Sequence, residues 1–218
     1  MLPYTISVLL AWSGVVGSRS VDDFGSVEWQ DEISHGCFPF RELKLNDFQV
    51  KDKAGPNGML TWGFVHFSFQ YSTRQQGDRY IASVNQLTAR SGFDANQSWR
   101  KSMIVEERYL PHEQGHLDIN ELYAEAFRTA DLPQGTGLEA SAASDDLTSK
   151  LNALLDKYMK EAQFEQRRYD KETRHGQDSD RQGEWNLNLR KRMTDAHIVY
   201  WNTPQRVLPQ VLLFAHEM

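Results

Sequence analysis

Apolar and polar residues alternate along "WGFVHFSFQY", where Val65, Phe67, Phe69 and Tyr71 are interleaved with His66, Ser68 and Gln70. This is the period of a strand buried on one face. "RQQGDR" supplies a turn through Gly77 and Asp78, and "YIASVNQL" resumes the extended pattern. Gly58 to Leu87 is therefore predicted to form two antiparallel strands, and "LKLNDFQV" to add a third. From Ile104 onward the period becomes helical, and three helices are predicted. The first runs from about Pro111 to Ala130, with a proline that the first turn tolerates. The second carries Leu147, Leu151, Leu154, Leu155, Tyr158, Ala162 and Tyr169, with an N-cap at Ser144 and a C′ stop at Gly176. The third carries Trp185, Leu189, Met193, Ala196 and Tyr200. Between the first two, "DLPQGTGLEASAAS" reads as a loop that turns the long second helix back antiparallel to the first. Strands first and helices afterwards make the expected class α+β.

A chain of 218 residues with a net charge of -6 and no Lys/Arg-rich stripe argues against a nucleic-acid partner. The only cysteine, Cys37, rules out an intrachain disulfide and a thiolate cluster, so a metal site here must use histidine and carboxylate ligands. Residues 1–18 carry no charged side chain, and the apolar run from Ile6 to Val16 is too short to form a stable membrane span. The run fits a signal h-region with Val16 and Ser18 as cleavage determinants, and export, periplasmic or secreted, is the corresponding expectation. A buried N-terminal strand or helix is the other reading, because the n-region lacks Lys or Arg. One domain is then expected over residues 19–218. No feature of the sequence sets the oligomeric state.

Candidate chemistry begins in "LPHEQGHLDINELY". On a helix, His112 and His116 project from one face a turn apart and can grip one metal ion. Glu113 can reach a water on that ion and take its proton, the general-base step of metal-assisted hydrolysis. Gly115 costs a helix roughly 1 kcal/mol relative to alanine, which suggests that something approaches the backbone closely there. A catalytic zinc takes three protein ligands and leaves one position open. The third ligand is sought in "YDKETRHG", which the antiparallel second helix brings back to the histidine pair. His175 is preferred, since it lies at a helix terminus beside a glycine. Asp170 is the alternative, as third ligand or as the carboxylate that orients a ligating histidine. His175 can equally be a cation at the negative end of a helix dipole. Tyr169 is a possible oxyanion donor, although a tyrosine on an apolar face is more often core. His35 beside Cys37 offers two metal donors without a partner pair, a weak signal, while His66, His197 and His216 carry no metal pattern.

"HEQGHLDI" followed by "YDKETRHG" resembles the bacterial family catalogued as domain of unknown function 922, a group read as zincin-type metallopeptidases. "LKLNDFQ" and "FDANQSW" are similar to earlier segments of that family, so the resemblance spans roughly Leu43 to Trp185. It implies a zincin-like sheet followed by an active-site helix, with His112 and His116 as zinc ligands and Glu113 as the catalytic residue. Leu117 stands where the family usually has an aromatic, and Pro111 directly precedes the first ligand. The expected function is a zinc metallopeptidase acting on a peptide or protein substrate. The alternative is a non-catalytic, metal-stabilised binding domain of the cell envelope, which a fourth protein ligand would favour by closing the site. A metal-free helical pair carrying a chance motif is a third possibility.

Overall fold

The computed structural model describes residues 4–12, 36–53, 58–104 and 109–200. Its centre is a long antiparallel hairpin, β5 (Gly63–Gln76) and β6 (Arg79–Asp94), turned at Gly77 with φ +64°. Val65, Phe67 and Phe69 are buried on one face, as the alternation predicts. The strands extend beyond the predicted Gly58–Leu87 span because β6 continues to Asp94. A register shift between Gln70 and Tyr71 marks a bulge.

β1 (Tyr4–Trp12) pairs antiparallel with β5, β2 (Cys37–Pro39) with one end of β6, and β8 (Gly135–Gly137) with the other. The sheet order is thus β1-β5-β6-β2, with β8 also on β6. Part of the expected signal segment is therefore strand β1. The proposed cleavage determinants Val16 and Ser18 lie outside the described residues, as do His35, His216 and the tail from Thr203 to Met218.

"LKLNDFQV" departs from the predicted strand. Leu45–Asp47 forms a 3-10 turn, and only Gln49–Val50 (β3) is extended, in a small second sheet with β4 (Met59–Leu60) and β7 (Trp99–Arg100). Asp47 accepts from the Lys44 N–H at 2.7 Å and pairs with both Arg41 guanidinium nitrogens at 2.7 and 2.8 Å. Such local side-chain bonds compete with a strand ladder.

Three helices follow: α1 (Leu110–Arg128), α2 (Ala140–Thr173) and α3 (Ser179–Asp195). α2 starts a turn before the expected cap at Ser144, whose hydroxyl instead donates back to the Ala140 carbonyl at 2.9 Å. Part of the expected loop is β8. A Cβ on Gly135 would lie 2.0 Å from the Ala143 carbonyl oxygen, so glycine is what lets this strand lie against the first turn of α2. The third helical stripe ends early, because Ala196 is the C-cap of α3 and Tyr200 lies beyond it, packed on Phe40 with ring centroids 5.0 Å apart.

One face of the hairpin packs on α1 and α2 through Val65, Phe67, Ala89, Ala124, Phe127 and Leu155. α3 docks on the other side of α1, where Leu117, Tyr169, Trp185 and Leu189 join a second core. The contacts Phe127–Tyr158, Asn120–Gln166 and His112–Thr173 run in opposite directions along the two chains, so α1 and α2 are antiparallel. None of the described helices is long and apolar enough to cross a membrane.

Candidate metal centre

Antiparallel packing brings the C-terminal end of α2 to the N-terminal half of α1, and the four candidate donors meet there. His112 Nε2 and His116 Nε2 lie 3.3 Å apart. Asp170 Oδ1 is 3.2 Å from the first, 3.1 Å from the second and 3.3 Å from His175 Nδ1. This oxygen is buried and makes no hydrogen bond to any described residue, although three imidazole nitrogens surround it. Donors that share one tetrahedral zinc at about 2.0–2.1 Å stand about 3.3 Å from one another. Two imidazoles and a carboxylate are also a donor set that zinc favours. The residues therefore fit a zinc ion.

The four donors differ in how firmly they are held. The His112 side chain is 7% exposed, His116 20%, Asp170 32% and His175 58%. Asp170 belongs to the last full turn of α2. His175 lies beyond the helix, in a run of left-handed residues with φ of 50° at Arg174, 54° at His175 and 77° at Gly176. The expected helix stop at Gly176 is thus displaced to Arg174, which is the actual C-cap. Gly176 is needed for a different reason, since a Cβ there would meet His112 Cβ at 2.8 Å. Left-handed backbone at two non-glycine residues is costly and persists only where packing imposes it. Here the turn is pressed against the first histidine.

The electrostatics follow from burial and proximity. Burial by itself would raise the Asp170 carboxyl, but the two imidazoles overcome it and hold the group well below the usual carboxylate range. For His116, burial favours the neutral ring and is outweighed by Asp170 and Glu113, so its pKa is raised. Glu113 is 6% exposed on α1, and its carboxylate has no hydrogen-bond or ion-pair partner among the described residues. Its charge is felt at the cluster, where it helps to raise the His116 pKa.

Tyr169 is placed as core and does not point a free donor at the cluster. It is fully buried and stacks on the His112 ring at 4.8 Å, and its hydroxyl donates to the His112 carbonyl at 3.0 Å. With its single proton used there, it is not available to an oxyanion. It is also what approaches Gly115, where a Cβ would lie 2.2 Å from the Tyr169 hydroxyl oxygen.

Two residues of the site escape the sequence reading. Gln166 Oε1 contacts His116 Nδ1, and Gln182 Oε1 lies 3.1 Å from His112 Nδ1. A signal for both was present. Gln166 stands one turn before Asp170, and the stripe of Trp185, Leu189 and Met193 extended back one turn reaches Gln182, a polar residue at a buried position. His66, on β5, and His197, just past α3, do not join the cluster. A cleft of about 1020 Å³ on the other flank of α1 is bordered by Gln114, Asp118, Arg190 and Tyr200, and by none of the four donors.

Residues 45–176 match the sequence profile of the family described as "Bacterial protein of unknown function (DUF922)". No curated protein and no solved structure matches the chain. The matched segment begins in the 3-10 turn at Leu45, ends at Gly176, and includes all four donors and Glu113. The chain belongs to this family.

Proposed function

We propose that this member of the family is a zincin-type metallopeptidase. The observation that carries the reading is Asp170 Oδ1, buried and without a hydrogen bond, equidistant within 0.2 Å from three imidazole nitrogens. His112, His116 and Asp170 would hold zinc. His175, favoured by the sequence as the third ligand, also brings a ligand atom within 4.8 Å of those of His112 and Asp170, and is the more exposed donor. Zinc, when bound there, supplies a Lewis acid that acidifies a water molecule and polarises a peptide carbonyl. Glu113, which acts electrostatically on His116 from the same helix, accepts the proton from the attacking water and delivers it to the leaving amine. Peptides or proteins are the substrate class, and export belongs to the same reading, with the pairing of Tyr4–Trp12 to β5 favouring the alternative of an N-terminal strand for that segment.

A second reading has its own observation. His175 Nδ1 lies close enough to Asp170 to complete a four-ligand site, which would be closed and structural in a non-catalytic envelope domain. Glu113 weighs against it, because a structural site has no use for an unpaired carboxylate within electrostatic reach of a ligand. The two readings separate in one set of proteins. The zinc content of wild type is expected near one ion per chain. Loss in His112→Ala and Asp170→Ala is expected, with retention in His175→Ala. Glu113→Gln should keep its zinc while peptide hydrolysis falls by about 10²–10⁴-fold. Wild-type protein that takes up no zinc would sink the metal site, and unchanged hydrolysis in Glu113→Gln would sink the catalytic assignment. Zinc lost from His175→Ala, with no hydrolysis by wild type, would favour the structural reading.

A further inference from the structure

We infer that Gln166 and Gln182 are positioning residues that lock His116 and His112 in the Nδ1–H tautomer, turning both bare Nε2 lone pairs toward Asp170. The tautomer assignment stands on hydrogen bonding alone. Its consequence for zinc rests on the reading above.

The argument starts from two groups that can only accept, the main-chain carbonyls of the histidines themselves. The His116 carbonyl oxygen receives a bond at 2.8 Å from the Gln166 side-chain amide. The atom there must be the NH₂ group, which also donates to Asn120 Oδ1 at 3.0 Å. The other atom of the Gln166 amide is therefore oxygen, and it faces His116 Nδ1. An amide oxygen cannot donate, so the proton between them belongs to Nδ1. In the neutral ring Nε2 is then unprotonated, and it is Nε2 that faces Asp170.

The second circuit is one residue longer. The His112 carbonyl takes the Tyr169 hydroxyl proton at 3.0 Å. Having donated, that hydroxyl accepts from the Gln182 amide at 2.6 Å. This orients the amide so that its oxygen lies 3.1 Å from His112 Nδ1, which must again carry the proton. Thr173 agrees independently. Its hydroxyl donates to the Tyr169 carbonyl at 2.8 Å, so toward His112 Nδ1, 3.4 Å away, it can only accept. Each ring is thus locked by a chain of bonds that begins on its own backbone. Gln166 is 1% exposed and Gln182 7%, so water does not readily replace either. The hydrogen bond on one imidazole nitrogen decides which tautomer is present and how basic the other nitrogen is.

The test uses the full chain, first without zinc, at a pH above the imidazole range, with ¹⁵N NMR of the histidine rings. Both His112 and His116 should show Nδ1–H and bare Nε2, the reverse of the form that free histidine prefers in water. Nε2–H in either ring overturns the assignment for that ring. Gln182→Leu should loosen the tautomer of His112, leaving only the more distant Thr173 hydroxyl as acceptor, without touching that of His116, and Gln166→Leu should release His116 and leave His112. Zinc affinity, measured by competition with a chelator, should fall about 10–100-fold in each leucine variant. Gln182→Glu keeps the acceptor and should stay within a few-fold of wild type. Equal weakening by Gln182→Glu and Gln182→Leu would show that the acceptor is irrelevant and overturn the positioning role. The NMR result on wild type needs no variant to fold. Nδ1–H tautomers in a protein that binds no zinc would refute the metal reading and leave this one intact.

Discussion

At Gly115 one missing methyl group decides how closely two helices approach. Alanine would favour the α1 helix by about 1 kcal/mol, but its Cβ would lie 2.2 Å from the Tyr169 hydroxyl oxygen, in a core that leaves the tyrosine no room. Overpacking of this kind typically costs about 1–3 kcal/mol. Gly115→Ala is therefore expected to lower the urea midpoint despite the gain in helix propensity. Adding Tyr169→Phe, which removes the nearest atom, should recover part of the loss. Additive effects in this double-mutant cycle would contradict the contact. The glycine itself was legible in the sequence as a position of close approach. Its partner was not, because Tyr169 is distant in sequence and reaches α1 only once the helices pack.

At the level of elements, the outer edge of β6 is paired by β2 at one end and β8 at the other, and next to β2 side chains of α1 bond the backbone of Ala89 and Ser91. Glu121 Oε2 accepts the Ser91 N–H at 2.8 Å, and Arg128 donates to the Ala89 carbonyl while pairing with Glu121 at 2.8 Å. Open strand edges are a liability that proteins cover, and here two charged side chains of a helix provide the cover. The arrangement also fixes the height of α1 on the sheet, and so where His112 and His116 stand. Arg128→Ala would leave the Glu121 carboxylate, 8% exposed, without its counter-ion, and breaking such a buried pair costs about 3–5 kcal/mol. Arg128 is itself 25% exposed, so a value toward the low end is expected in chemical denaturation. A change below about 0.5 kcal/mol, the size typical of a neutral surface substitution, would show that the edge is held by other means. The pattern of α1 reads as amphipathic, yet Glu121 and Asp118 are buried with the apolar residues. Periodicity marks which face turns inward and does not say which polar groups on it will find partners.

In the whole molecule, the four donors come from two helices and the turn that follows the second, so a bound ion would tie the end of α2 to the start of α1. A ligand that binds only the folded chain stabilises it by RT ln(1 + [L]/Kd), about 2.7 kcal/mol when free zinc stands at 100 times Kd. Zinc is accordingly expected to raise the thermal midpoint by several degrees, and a chelator should reverse the shift. Asp170→Ala should abolish most of this response. A midpoint indifferent to zinc and chelator alike would mean that the cluster holds no ion in solution.

The sequence by itself determined the class of the fold, the hairpin around Val65 to Phe69, the approximate spans of the helices and the residues able to donate to a metal. These are local or periodic properties, written within a few turns of chain. Only the tertiary structure decided that Asp170 stands between both histidines, that His175 is the exposed donor, that Tyr169 is used up by a backbone carbonyl, and that two glutamines set the imidazole tautomers. Each depends on residues roughly fifty to seventy positions apart meeting across the α1–α2 and α1–α3 interfaces. Spacing along one chain does not encode such distances until the core has chosen how those helices pack.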